Sequence, residues 1–407
     1  MVDMLARGDR DRARSSEVAF GTTLDRDSLV AAVLARNPEV DVARETWRAS
    51  VAAYPVATTL EDPMVSYTVA PFTIGSSVPF GQTFEVRQKL PWPGTRALAG
   101  DAAIADAQAA EADLATLQLE LAGATVDAFD DDYIAARALE VNHHHRELLE
   151  RIEKAALAQI TVGRGSQQDA LEVRAELVAL ERERLMLETQ QRVAVAKLNR
   201  LLHRPANAEL PPPPQTLVDV TTHALSKDVV EHPRLVAAKA RIRARNADVA
   251  RADRAFYPSF EVMATYDGFW DAWQQRMMIG VGINVPIERE GRRGALDMAR
   301  AEEAKQTAEL ATTRDMLAED RERASQELAE ARQARDLFEK QLLPVARERV
   351  DAALAGFATG QNAFSAVVMA EHALRGAELQ LEQGRADVDR RAAAVDRAEG
   401  RIPGGGR

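Results

Sequence analysis

No cysteine occurs among the 407 residues, so a disulfide framework, a thiolate metal site and a lipidated N-terminal cysteine are all excluded. Aromatic residues are scarce at 5%, while alanine, leucine, glutamate and arginine dominate, a mixture that belongs to long helices and not to a mixed globular core. Basic charge is in deficit, and the net charge of −11 argues against a nucleic-acid partner, because nothing forms a basic face to neutralise phosphates. No apolar run reaches the roughly 18 residues of a spanning helix. Proline clusters only at Pro211-Pro212-Pro213-Pro214. Met1 to Ser16 is charged and lacks the apolar centre of a signal peptide, which leaves two readings: a cytoplasmic protein, or a chain that begins after or without its export signal. There is no phosphate-binding glycine loop, no HExxH pair, and no serine in a histidine–acid context. No enzyme, no catalytic residue and no cofactor is expected.

What is present is said twice. Ala35-Arg36-Asn37-Pro38-Glu39-Val40 returns as Val230-Glu231-His232-Pro233-Arg234-Leu235, and Ala53-Tyr54-Pro55 returns as Phe256-Tyr257-Pro258. Leu90-Pro91-Trp92-Pro93-Gly94-Thr95-Arg96 returns as Val285-Pro286 followed by Glu290-Gly291-Arg292-Arg293. Thr161-Val162-Gly163 returns as Ala358-Thr359-Gly360. These landmarks keep their order at an offset of roughly 200 residues, the mark of two copies of one structural unit. The division that follows is an N-terminal segment 1–23 expected to be disordered, a first repeat 24–210, a proline-rich linker 211–221, a second repeat 222–400 and a flexible tail 401–407.

Each repeat opens with a helix, Asp27 to Ala53 in the first, interrupted near Asn37-Pro38. The period then changes from helical to two. Val65, Tyr67 and Val69 alternate with Ser66, Thr68 and Ala70, and Phe84, Val86 and Leu90 alternate with Thr83, Glu85, Arg87 and Lys89. In the second copy Phe260, Val262, Ala264 and Tyr266 alternate with polar residues, and Met277, Ile279, Val281, Ile283 and Val285 alternate with Gly280, Gly282 and Asn284. Strands are predicted over about 63–72, 80–91, 258–268 and 275–286. Each is roughly the nine to eleven residues a tilted strand needs to cross a bilayer. A soluble antiparallel sheet with one wet face has the same pattern, and four strands do not close a membrane barrel without further chains.

From Gly94 to about Ile160 and from Ser166 to Leu202 helix breakers all but vanish. Leu180, Leu187, Ala194 and Leu201 recur at sevens, while Leu171, Val178 and Leu185 make a second seam on an adjoining face. A helix with two seams has neighbours on both sides. The paired helices turn at tips 161–166 and 358–362, where glycine ends the first helix and Ser166, or Asn362 in the second copy, caps the next. Pro344 is expected to kink or interrupt its helix.

Helix, β-hairpin and very long helical hairpin, then the same again, resembles the TolC-like outer-membrane efflux proteins over about residues 24–400. The resemblance rests on the repeated Asn37-Pro38 and His232-Pro233 starts and on Gln88-Lys89-Leu90-Pro91-Trp92-Pro93-Gly94-Thr95-Arg96 at the strand-to-helix corner. It rests also on Val162-Gly163 with Asp169-Ala170-Leu171, and on Thr359-Gly360 with Val367-Val368. The resemblance implies a mainly α fold with a small β part, assembled as a homotrimer. Four strands per chain would build a 12-stranded barrel in outer-membrane lipid, and the helices a tunnel across the periplasm. It also implies a periplasmic adaptor and an inner-membrane pump as partners, and passive exit of pump substrates. The corner sequence looks most like the branch serving heavy-metal and cation pumps. The alternative from another class is a soluble coiled-coil scaffold.

Three groups of residues are candidates for function. Where the family's second tip often carries acids, this chain has Ala366 and Met369, but Asp169 and Glu172 lie one helical turn apart at the first tip. With Arg164 as a pairing partner they form a candidate periplasmic gate, its carboxylates attracting cations; solvated acids near a helix N-terminus are the plainer reading. Gly163, Gly165, Gly360 and Gln361 at the tips are candidates for adaptor docking, the glycines because they let two backbones approach closely. Trp92 at one strand end and Phe269, Trp270 and Trp273 at the other read as interfacial aromatic belts. His143-His144-His145 is read as a solvated polar stretch and not a metal site, since successive helical side chains diverge by about 100°.

Overall fold

The computed structural model describes residues 20–75, 80–161, 166–217, 231–270, 272–359 and 361–403. In chain order the elements are α1 (Arg26–Arg36), α2 (Pro38–Thr58), β1 (Met64–Ala70), β2 (Gly81–Leu90), α3 (Thr95–Thr161) and α4 (Gln167–Leu201). The second copy follows as α5 (Pro233–Arg254), β3 (Ser259–Asp267), a helical turn α6 (Trp273–Arg276), β4 (Met277–Asn284), α7 (Glu290–Leu337), a π-helical turn (Phe338–Leu342), α8 (Leu343–Ala358) and α9 (Phe364–Ala398). The described residues fall into two compact units, each drawing on both repeats. One comprises the described residues among 43–114 and 233–314, the other those among 20–42, 115–232 and 315–403.

The first unit holds a single antiparallel sheet in the order β1-β2-β3-β4, the two hairpins joined through β2 and β3. β1 is shorter than its alternating pattern because Pro71 opens a 3₁₀ turn, Pro71–Thr73, instead of extending the ladder. The predicted start of the fourth strand is instead the turn α6, where the Arg276 guanidinium donates to the Trp270 carbonyl at 2.6 Å. Beneath the sheet, Trp47 and Val51 of α2 bury against Ala107 of α3. Gly100 admits a close approach there, since a Cβ would lie 2.8 Å from the Thr58 methyl and 3.0 Å from the Tyr54 ring. α5 buries an alanine face, Ala237, Ala240, Ala244 and Ala247, and its Arg245 pairs with Asp106 of α3 at 3.0 Å.

The second unit is helical. Asn37 separates α1 from α2: its amide donates to the Leu201 carbonyl at 3.0 Å, while its side-chain oxygen accepts the Glu39 N–H at 2.9 Å. The interruption expected there is thus a built joint, and helix α2 runs on through Pro55 to Thr58. Both long helices of the first repeat form, α3 with 67 residues and α4 with 35. The main core joins the two repeats. Leu149 and Ile152 of α3, Val173 and Leu180 of α4, Leu343 and Val350 of α8, and Phe364, Val367 and Leu374 of α9 share one cluster.

The interruption expected at Pro344 is a π turn, Phe338–Leu342, which separates α7 from α8. The turn widens so that the Leu343 N–H reaches the Phe338 carbonyl, which makes room for a proline that has no donor of its own. Phe338 then packs over Gly384 of α9, where a Cβ would sit 3.2 Å from the ring. Ser166 caps α4, but Asn362 does not cap α9. The residue at that cap is Ala363, which offers no side-chain acceptor, and the Asn362 amide folds back over Gly356. Residues 401–403, read as the start of a flexible tail, are held: Arg401 donates to the Asp396 carboxylate at 3.1 Å, and Ile402 packs against the cluster of Val30, Val126 and Ala393. The linker, too, is engaged at Pro212, whose carbonyl accepts the Leu24 N–H at 2.9 Å. The glycines Gly163, Gly165 and Gly360, and Arg164, lie outside the described residues.

Candidate functional site

The register of the sheet sorts its side chains by chemistry. Tyr67 faces Phe84, Phe84 faces Tyr266, Val262 faces Val281 and Phe260 faces Ile283. All of these project from one face, which carries no charge. Every charged residue of the strands, Glu85, Arg87, Lys89, Glu261 and Asp267, projects from the other. The apolar face is bare: Ile279 is 84% exposed and Val281 68%. Among the described residues β1 and β4 each pair on one side only, so both sheet edges present unpaired backbone groups. In water such a surface invites aggregation; it is stable against lipid, with the edges paired to further strands.

Aromatic side chains gather at both ends of the strands. At one end Trp92 stacks on Tyr257 at 5.0 Å and on Phe260 at 5.8 Å. At the other, Phe269 lies over Gly81, where a Cβ would fall 2.4 Å from its ring, and Trp273 is 72% exposed. Trp270 is exposed beside them. The nine residues of β3 run about 30 Å between the two groups, and at a tilt of about 40° such a strand spans roughly the 25 Å apolar band of a membrane barrel. Tyr257 and Phe260 were not among the candidate aromatics; packing brings them to Trp92.

In the helices, α4 carries the two seams with opposite fates. Leu180, Leu187, Ala194 and Leu201 are buried within the chain, whereas Leu171, Val178 and Leu185 are exposed. At its first turn Ser166 and Asp169 form a reciprocal capping box. The Ser166 hydroxyl accepts the Gln168 N–H at 3.1 Å, and the Asp169 carboxylate accepts the Ser166 N–H at 3.2 Å. Glu172 follows one turn later, half-buried. Gln361 is exposed at the second tip, where its N–H donates to the Gly356 carbonyl at 2.8 Å and Phe357 meets Phe364 edge to face at 5.4 Å.

The three histidines do not behave alike. His143 and His144 are exposed, but His145 is fully buried, a correction to the reading of one solvated stretch. The same 100° step that keeps the three apart turns His145 inward. Its Nδ1 lies 2.7 Å from Glu371 Oε1 and its Nε2 lies 2.8 Å from Glu378 Oε2. Two carboxylate partners call for a donor on each nitrogen, which is the imidazolium. Burial pulls its pKa down, but the hydrogen bonds and charges of Glu371 and Glu378 outweigh burial and raise it to about 8. The group ties four helices together: His372 reaches Glu176 of α4 at 2.7 Å, and Arg347 of α8 stands 3.8 Å from Glu378. A second buried group lies along the same α3–α9 contact. There burial and the charge of Asp389 push the Asp130 carboxyl well above its ordinary range, while Arg26 binds Asp389. Among the described residues no group of three or more histidine and carboxylate side chains is placed to hold a metal ion.

The described residues thus present a two-faced sheet with open edges and, on α4, an exposed apolar seam. Residues 225–401 match the family model for outer membrane efflux protein. The fold is that of solved outer-membrane channels. The channel OprN aligns with a TM-score of 0.81 at 18% identity, covering 92% of this chain and 89% of the other. VceC of Vibrio cholerae aligns at 0.77 and 18% identity, covering 92% and 96%, and the open state of MtrE from Neisseria gonorrhoeae at 0.75 and 17%, covering 92% and 89%. No curated protein matches the chain.

Proposed function

We propose that this chain is the outer-membrane exit duct of a tripartite efflux system, working as a homotrimer whose helices extend into the periplasm. The carrying observation is the sheet, uncharged and exposed on one face, charged on the other, and unpaired at both edges. Three copies of four strands close a 12-stranded barrel and leave no edge. The exposed seam of Leu171, Val178 and Leu185 supports the same assembly, since it supplies the contact for a neighbouring copy. A soluble scaffold leaves the apolar sheet face unexplained. Expressed behind a cleavable export signal, the protein is expected in the outer-membrane fraction as a trimer that resists carbonate extraction. Recovery as a soluble monomer defeats this reading.

The partners are a periplasmic adaptor, met at the tips around Gly163, Gly165, Gly360 and Gln361, and through it an inner-membrane pump that selects the substrate. The proposed substrates are heavy-metal cations, which the resemblance to the heavy-metal and cation branch favours, or drugs. Asp169 and Glu172 are the proposed gate acids, with Arg164 as partner. Because Asp169 also caps its own helix, the gate would be coupled to the stability of the tip. Replacing both acids with alanine should alter single-channel conductance or cation preference in planar bilayers; identical conductance, selectivity and pH dependence would remove the gate while leaving the channel.

A further inference from the structure

The charged face of the sheet holds a device that neither the gate nor the tips require. Arg87, at the middle of the sheet's width on β2, donates through Nε to Glu85 Oε1 at 3.0 Å and stands 3.3 Å from Glu261 Oε1 on the neighbouring strand β3. Thr265 adds a hydroxyl 3.5 Å from the second oxygen of Glu85. Glu261 Oε1 is buried and has no hydrogen-bond partner besides this ion pair, so the guanidinium is its only counter-charge at contact among the described residues. On this face β4 offers only Gly280 and Gly282 opposite the group, and the Met263 side chain lies over them. A Cβ at Gly280 would fall 2.9 Å from the Met263 side chain.

We infer that Arg87 sets the ionic preference of the barrel lumen, by holding Glu85 and Glu261 neutralised against the wall. The inference rests on the proposed barrel, in which the charged face lines the pore. On that face the strands carry three acids, Glu85, Glu261 and Asp267, against two bases, Arg87 and Lys89. Lys89 is occupied elsewhere, 3.9 Å from Glu61. With Arg87 in place one cation serves two carboxylates, and the lumen presents a weak negative field to passing small ions. Without it both carboxylates are released in every copy, and a ring of them attracts cations and repels anions. Removing the carboxylates instead leaves the guanidinium unpaired and reverses the sign. Arg87 is therefore a specificity-determining residue for charged solutes leaving through the duct.

The test uses purified full-length channels in planar bilayers under a potassium chloride gradient, with reversal potential as the readout. Arg87→Gln is expected to shift the reversal potential toward the potassium equilibrium potential. The Glu85→Gln/Glu261→Gln double variant is expected to shift it toward chloride, and the triple variant to return it close to wild type. Each shift should shrink between about 0.1 M and 1 M salt, as the Debye length falls from about 10 Å to 3 Å. If Arg87→Gln does not assemble, the double variant still carries the test in the opposite direction. Unchanged reversal potentials in channels of normal trimer yield overturn the inference and leave the channel reading standing. A wild-type chain that forms no trimer and no conductance overturns the channel reading itself, and this inference with it.

Discussion

His145 shows how much one side chain is asked to hold. It is buried between two glutamates of α9, and its removal strands Glu371, whose second oxygen already lacks a hydrogen-bond partner. Breaking a buried ion pair by removing one partner costs about 3–5 kcal/mol, and His145→Ala should lower thermal stability accordingly. The pH dependence has a definite sign. The folded pKa is raised from 6.5 to about 8, so the stabilisation is complete below pH 6.5 and is lost as pH rises through about 8. Unfolding temperatures of wild type and His145→Asn should therefore converge across that window and stay apart below it. Parallel curves would show that the imidazolium is not the stabilising form. Asp130 shifts stability with pH in the same direction, though from a different cause: the folded state keeps a proton that the unfolded chain releases above 3.8, so its burial costs stability as pH rises from there.

At the scale of the element, α4 separates two kinds of apolar residue that its sequence does not distinguish. Leu180 and Val178 sit two positions apart, yet the first is completely buried and the second 70% exposed. Leu180→Ala should cost about 2–5 kcal/mol in the stability of the chain, because it opens a cavity where α3, α4, α8 and α9 meet. Val178→Glu should leave the folded chain intact and remove the trimer, read as loss of the heat-sensitive trimer band on gels with an unchanged circular dichroism spectrum. Trimers at wild-type level in that variant would mean the exposed seam does not face a second copy. The same helix pair explains the tolerance of Pro344: a π turn absorbs it, and Phe338 finds its seat because residue 384 is glycine.

For the whole molecule, the repeat predicts function at the rim. Two tips per chain come from equivalent places in the two halves of the sequence, so the proposed trimer would present six similar hairpins to the proposed adaptor. Gln361 is exposed at the second tip and its side chain supports nothing in the described fold. Gln361→Trp should abolish efflux-dependent resistance while trimer level and outer-membrane insertion stay normal. Full resistance with the bulky side chain in place would move the docking surface elsewhere.

Much of this protein is local and was therefore legible in the chain itself. The change of period from helix to strand, the serine cap at Ser166 and the break between helices at Asn37-Pro38 are set by neighbours within a few residues, so spacing alone predicts them. The apolar and charged faces of the strands follow from a period of two. Other features depend on residues far apart in sequence. That β2 pairs with β3, that Arg87 reaches Glu261, and that His145 alone of its triplet turns toward Glu371 and Glu378 are consequences of how the two repeats pack. Periodicity reports which residues share a face. Only packing decides what that face meets, and so which of two seams is core, which carboxylates share a cation, and which histidine carries a proton.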